Sequence, residues 1–289
     1  MYARATTAGL SYALQPSHRR QSAHNASNAR CSCHGTPCAQ SEPPWHYGSA
    51  VHSVSGMSIV ELRPHLYRLT LGRYQAYLWR DDDSVTLIDT GEVGSGPLII
   101  DALHQIGLAR ADLDRLVLTH FHDDHAGSAA EIASWGTGQI VAHTADAPVI
   151  RGQAVGSPPN FTENERELHA RVAAGLPPAP PVRVDHEVRD GDVLDFGGGA
   201  HVISTPGHTD GSIALHLPEH RVLITGDIAA EYGGEVILGV FNLDPAQAAA
   251  SFRRLADLDA DIACFGHGDP VIGGAGARLQ HVAEALNGE

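Results

Sequence analysis

The chain reads as an α/β protein in which two β-sheets carry helices on their outer sides, and three observations predict this. Strand-like runs fall into two groups along the chain, and helical segments follow each group, as expected when helices cover sheets. Short apolar runs such as 115–119 and 262–265 read as buried strands. The composition, with 31 Gly and 17 Pro in 289 residues, excludes coiled coil, collagen and wholesale disorder. In addition, no apolar stretch approaches the ~20 residues that span a bilayer.

Taken in order, strands are predicted at 59–62, 66–70, 75–79 and 85–89, with the Asp-rich 81–84 as the turn between the last two. Residues 91–96 form a loop, and Pro97 opens a helix that runs to about Gly107. A strand at 115–119 leads into a His-rich loop, followed by a helix at 128–135, a strand at 139–142 and a short helix at 145–151. Residues 152–181 differ in character. They hold an acidic helical stretch at 162–174 and a proline cluster at 176–181, and read as a cap or lid outside the core. Strands resume at 184–188, 193–196, 201–204, 213–217 and 222–225. Asp244-Pro245 starts a helix as N-cap and first-turn proline, 262–265 is the last strand, and a helix follows it.

The first 56 residues stand apart, with four Arg, one acid, five His and three of the four Cys, and no strand or helix period. The only Met besides Met1 is Met57, just before the first strand pattern. Residues 1–56 are therefore expected to be a disordered leader or sequence upstream of the natural start, and 57–289 one domain of ordinary size. Cys31, Cys33, His34 and Cys38 match no complete zinc-finger spacing. Cys264 in an apolar run reads as a small buried hydrophobe, so disulfides contribute nothing to the fold and a cytoplasmic setting is expected. The net charge is −15 without a single Lys, and −18 for the residues after position 56, which speaks against nucleic-acid partners.

The chemistry begins with Thr119-His120-Phe121-His122-Asp123-Asp124-His125-Ala126-Gly127, directly after a strand. In extended chain, i and i+2 point the same way, so His120 and His122 can meet on one ion. Asp124 and His125, beyond the turn into a helix, point to a second position. Three more strand ends each deliver a ligand-type residue next to glycine: Gly207-His208, Gly226-Asp227 and Gly266-His267-Gly268. Strand ends of a layered fold converge on one edge, where sites form.

His120-x-His122-x-Asp124-His125 with His208, Asp227 and His267 resembles the signature of the metallo-β-lactamase superfamily, in full and in order. The resemblance implies a single-domain, four-layer αββα sandwich with metals between the sheets. It also implies that His120, His122 and His208 hold one metal, that Asp124, His125 and His267 hold another, and that Asp227 bridges them. Asp89 matches the family's structural aspartate beneath the site. The implied cofactors are two divalent ions, zinc first, with manganese or cobalt as substitutes, or else one iron. The implied activity is hydrolysis of an ester, lactone or thioester carbonyl by a metal-bridging hydroxide, lactone and ester ahead of thioester. Asp124 would orient the nucleophile and pass a proton to the leaving group.

Several alternatives belong beside this reading. Thr205–Gly211 matches Thr-Pro-Gly-His-Thr-Asp-Gly of the superfamily's persulfide dioxygenases, which hold one iron on the positions of His120, His208 and Asp227. A phosphodiesterase, a low β-lactamase side activity and a non-catalytic binding protein are the other readings. Tyr232 follows Asp227 by five positions, a spacing other than the family's usual one, and reads either as catalytic or as a loop aromatic packed on Phe241. Phe161 and His169 could line an apolar pocket. The expected partner is a small-molecule substrate, with no nucleic acid and no membrane, and homodimerisation stays open.

Overall fold

The computed structural model describes residues 58–136 and 138–286; the expectation for residues 1–56, with their cysteine cluster, lies outside the described residues. The first sheet opens as an antiparallel meander of β1 (Ser58–Arg63), β2 (Leu66–Leu71), β3 (Tyr74–Arg80) and β4 (Val85–Ile88). It continues in parallel through β5 (Arg115–Val117), β6 (Gln139–His143) and β7 (His186–Val188). Parallel neighbours need crossover connections, and these carry α1 (Gly96–Gln105), then α2 (Asp123–Ala126) and α3 (Ala129–Ala133), then α4 (Ala147–Ile150) and α5 (Glu163–Val172).

The second sheet holds β8 (Val193–Leu194), β9 (Ala200–Ser204), β10 (Ile213–Leu217) and β11 (Val222–Ile224) in antiparallel order. After a hairpin of β12 (Ala229–Tyr232) and β13 (Glu235–Leu238), the chain enters α6 (Pro245–Ala256). It then adds β14 (Ile262–Cys264) parallel to β11, β15 (Val271–Ile272) and α7 (Ala275–Ala285).

Side-chain alternation sorts these elements into four layers. Leu87, Leu116 and Ile140 point outward from the first sheet and pack with Ile99, Leu103 and Ile132 of its helices. Their chain neighbours Ile88, Val117 and Val141 point inward and meet Val202, Leu215, Val222, Ile224 and Cys264 of the second sheet. Leu223, Ala214 and Ala263 face the other way, against Phe252, Leu255 and Leu279 of α6 and α7. The result is the αββα sandwich that the resemblance implies. No helix among the described residues is long and apolar enough to cross a membrane.

Polar ties across the inner layer lie near one rim. The Tyr77 hydroxyl donates to the Phe265 carbonyl (2.7 Å) and accepts from the Phe265 amide (3.1 Å). Backbone bonds Gln75 N to Gly266 O (3.0 Å) and Ile213 N to Thr119 O (2.9 Å) join the two sheets beside it.

Some elements differ from the sequence expectation. The strands expected at 85–89 and 115–119 stop at Ile88 and Val117, because the residues beyond turn into the site. The helix expected at 128–135 is preceded by α2, whose four residues lie inside the His-rich loop. The β12–β13 hairpin was not foreseen, since two positive-φ glycines, Gly233 and Gly234, make a turn within a run that shows little alternation. The helical stretch expected at 162–174 is α5, which Thr162 and Glu165 start with a reciprocal capping box. Likewise the Asp244 side chain accepts from Gln247 N at the start of α6.

The 152–181 excursion is fastened to the core rather than free of it. Asn160 N donates to Asn242 O (2.8 Å), Phe241 N to Glu165 Oε1 (3.2 Å) and Ala179 N to Asp123 Oδ1 (2.7 Å). Phe161 and His169 meet Phe241 edge-on at ring distances of 5.8 and 5.1 Å and lie tilted against each other at 4.7 Å.

Cys264 is fully buried in the inner layer, and burial pushes its thiol well above the ordinary range. Peptide-resolved alkylation at pH 8 is expected to leave Cys264 unmodified in the folded protein and to label it only in denaturant. Rapid labelling without denaturant would contradict this packing.

Candidate metal centre

Every predicted ligand comes from the loop after a strand, and the loops meet at the rim of the sandwich. After β4 the backbone turns left-handed at Asp89 (φ 61°), a conformation aspartate tolerates better than most residues. This aims a buried carboxylate at the next loop. Asp89 Oδ1 accepts from Thr119 N (2.8 Å), and Oδ2 accepts from the Thr119 hydroxyl (2.7 Å) and faces His125 Nδ1 (2.9 Å). After β5, His120 and His122 lie on extended chain, and α2 begins at Asp123, so Asp124 and His125 swing to another direction. His208 lies between β9 and β10, Asp227 in the turn after β11, and His267 beyond β14.

The first group of donors is His120 Nε2, His122 Nδ1 and His208 Nε2, mutually 3.0, 3.0 and 3.3 Å apart. Their tautomers follow from the outer hydrogen bonds. The Thr119 hydroxyl gives its proton to Asp89, so at 3.0 Å it accepts from His120 Nδ1–H. Asn242 uses its amide NH₂ on Gly239 O, so its Oδ1 accepts from His208 Nδ1–H at 3.2 Å. Both Nε2 atoms are then bare lone pairs aimed at one another. Such an arrangement repels unless a cation sits between them.

The second group is Asp124, His125 and His267, with Asp227 beside it. His267 Nε2 is 3.3 Å from Asp124 Oδ2 and 3.1 Å from Asp227 Oδ2. His125 Nε2 and Asp227 Oδ1 face each other at 3.2 Å, and neither buried atom has a hydrogen-bond partner. Asp227 Oδ2 also lies 3.8 Å from His208 Nε2, so its carboxylate stands between the two groups. Three ligand sets, namely His120/His122/His208, His120/His125/Asp227 and Asp124/His125/His267, each have their donor atoms within 4.8 Å of one another. The donor chemistry and the unpartnered atoms fit divalent metal ions. Gly266 is required here, because a Cβ would fall 2.2 Å from Asp227 Oδ1 and 2.5 Å from His125 Cε1.

The electrostatics split the site. Burial, reinforced by neighbouring imidazoles, holds His120 well below its ordinary value and His122 at about 3, and burial lowers His208 too. These three are neutral at pH 7, ready to ligate. For His125 and His267 burial acts in the same direction, but it is outweighed by Asp227 with Asp89 and Asp124. His125 rises well above the ordinary range and His267 to about 10. Asp227 and Asp124 are held low against burial by the same two imidazoles.

The structure thus brings all seven predicted ligands together. Tyr232 is placed on β12, opposite Glu235 in the hairpin and partly exposed, while Phe241 packs its ring on Phe161 and His169. His186 and His201 are exposed, and His143, His216 and His220 contact Ser204, Asp259 O and Trp79 away from the centre. Residues the sequence did not single out are Thr119 and Asn242, which orient His120 and His208, and Thr90, whose amide and hydroxyl both bind His125 O. Thr119 adjoins the motif and was within reach of inspection. Asn242 comes from a distant loop with no local signal.

Residues 69–267 match the profile of the metallo-beta-lactamase superfamily. The chain is 29% identical over 217 residues to the probable metallo-hydrolase YflN of Bacillus subtilis, covering 69% of this chain and 81% of that protein. It is 32% identical over 197 residues to a hydroxyacylglutathione hydrolase of Fuscovulum blasticum, covering 66% of this chain and 61% of the relative. Among solved structures, a metallo-beta-lactamase family protein of Thermus thermophilus superposes with a TM-score of 0.59 at 26% identity, over 79% of this chain and 81% of that one.

Ligation needs neutral imidazole, and the metal-free His125 and His267 are protonated at pH 7 because their pKa values are raised. Metal uptake is therefore expected to release about two protons per chain, and affinity is expected to rise with pH across the neutral range. Calorimetric zinc titrations in buffers of different ionisation enthalpy count these protons. Uptake without proton release would contradict the charge state described.

Proposed function

The chain belongs to the metallo-β-lactamase superfamily, and from that premise we propose that it is a metal-dependent hydrolase of an acyl substrate, an ester, lactone or thioester, acting with two divalent ions, zinc first. The observation that carries this reading is the position of Asp227, whose two carboxylate oxygens face His125 on one side and His208 and His267 on the other. In this reading His120, His122 and His208 would hold one ion and Asp124, His125 and His267 the other, with Asp227 placed beside both groups. Ions bound there supply Lewis-acid polarisation of a carbonyl and lower the pKa of water toward ~7.

The chain's own residues set the rest. His120, His125 and His208 are buried, whereas the His267 side chain is 37% exposed and that of Asp124 18%, so substrate approaches from their side. Asp124, held low and beside His267, remains a carboxylate able to orient a water molecule, take up the proton that the water gives up as it attacks, and pass that proton to the leaving atom. Asn242 keeps the His208 tautomer whose Nε2 lone pair is free to ligate, and Asp89 holds His125 by Nδ1, so that Nε2 is the nitrogen that ligates once its proton is released. The likeness to a hydroxyacylglutathione hydrolase supports the thioester member of the substrate class.

Elemental analysis of untagged protein purified without added metal is expected to give about two divalent ions per chain. A single iron would replace this reading with the dioxygenase one. Asp227→Ala and His122→Ala are expected to lower both metal content and turnover of a lactone, ester and thioester panel by more than about 100-fold, since even outer-sphere partners cost 10–100-fold. Near-normal turnover in either would show that the chemistry lies elsewhere. Tyr232→Phe separates its two roles. A fall of about tenfold in kcat/KM at unchanged stability marks a hydroxyl contact to substrate, and no change marks packing alone.

A further inference from the structure

A third buried carboxylate, after Asp89 and Asp227, binds the loops that carry the first three imidazoles and is not among the seven candidate ligands. Asp146 is 1% exposed and stands at the N-cap of α4, where an aspartate ordinarily accepts from its own helix. Here it makes no capping bond. Both oxygens are used elsewhere: Oδ2 accepts from Phe121 N (3.1 Å) and from the Thr209 hydroxyl (2.8 Å), and Oδ1 accepts from Gly211 N (2.8 Å). Phe121 sits between His120 and His122, and Thr209 directly follows His208. One side chain therefore ties the loop after β5 to the loop after β9. The fit is close at Gly211, where a Cβ would lie 2.5 Å from Asp146 N and 2.6 Å from Oδ1.

All three partners are donors, so the site calls for a group that only accepts. An asparagine of the same shape would turn its NH₂ against either Gly211 N–H or Phe121 N–H. A buried N–H left without an acceptor costs free energy, and the loop would move to regain one. His120 Nε2, His122 Nδ1 and His208 Nε2 lie only 3.0–3.3 Å apart. Small shifts between the two loops thus change the ligand geometry directly.

We infer that Asp146 is a positioning residue for the metal centre, fixing His120 and His122 relative to His208, with Thr209 and Gly211 as its donors on the second loop. The inference rests on the metal-centre reading above. It gives a structural role to Thr209 and Gly211 of the Thr205–Gly211 motif, which does not depend on the metal being iron.

The test compares Asp146→Asn with Asp81→Asn. Asp81 likewise straps distant segments, accepting from Trp79 Nε1 (2.8 Å) and Gly197 N (3.1 Å), but away from the centre. Zinc affinity is measured by chelator competition, ligand geometry by visible absorption of the cobalt-substituted protein, and stability by thermal melting of the metal-free forms. Asp146→Asn is expected to weaken zinc binding by about 10–100-fold and to change the cobalt spectrum, while Asp81→Asn lowers only the melting temperature. Wild-type affinity and spectrum in Asp146→Asn would overturn the inference even if that variant melts early. If Asp146→Asn does not fold, Thr209→Val deletes one donor and keeps the carboxylate; a weaker shift in the same direction supports the inference, and unchanged affinity and spectrum overturn it. A wild-type protein that takes up no divalent ion removes the metal-centre reading and this inference together, and that result appears before any variant is made.

Discussion

The carboxylate of Asp89 is buried at the end of β4 and accepts two hydrogen bonds from Thr119 while holding His125 Nδ1. A buried carboxylate must be fully paired, and here the pairing sets the surroundings. Because the Thr119 hydroxyl is spent on Asp89, it can only accept from His120, which fixes that imidazole's tautomer in turn. One side chain thereby orients two candidate ligands belonging to different donor groups. Its reach depends on β4 and β5 being parallel neighbours in register, Ile88 opposite Val117, so that Asp89 arrives beside Thr119.

The sandwich supplies the other half of the constraint. His120, His122, Asp124 and His125 come from the first sheet, and His208, Asp227 and His267 from the second. They meet only because the apolar inner layer holds the sheets at a set spacing and the polar ties of Tyr77, Gln75 and Ile213 pin the rim. Burial then makes the arrangement electrostatically selective. It keeps the trio around His122 neutral, while the carboxylates around His125 and His267 hold protons there until something more positive displaces them. A largely buried rim of closely spaced imidazoles beside paired carboxylates is poor at holding itself together and well suited to holding cations.

The cap at 152–181 shows how packing can give an excursion a fixed place. Its helix carries mostly polar residues and buries Leu168, yet its backbone and Glu165 bind Phe241, Asn242 and Asp123, all next to the centre. The aromatic trio of Phe161, His169 and Phe241 is built from both sides of that junction.

By itself the sequence determined the layers, the order of the ligands and most element positions. Strand-like runs, the cap at Asp244, and the clustering of His and Asp after apolar runs are local signals, carried by residues close together in the chain. Tertiary structure decided what local signals cannot carry. The left-handed turn at Asp89, the unforeseen β12–β13 hairpin, the seat of Tyr232 upon it, and the partners Asn242 and Asp146 all follow from loops far apart in sequence that meet at one rim. A ligand's residue type can be read one position at a time. Its tautomer, its charge and its distance from the next ligand depend on which distant hydrogen bonds and carboxylates surround it once both sheets are packed.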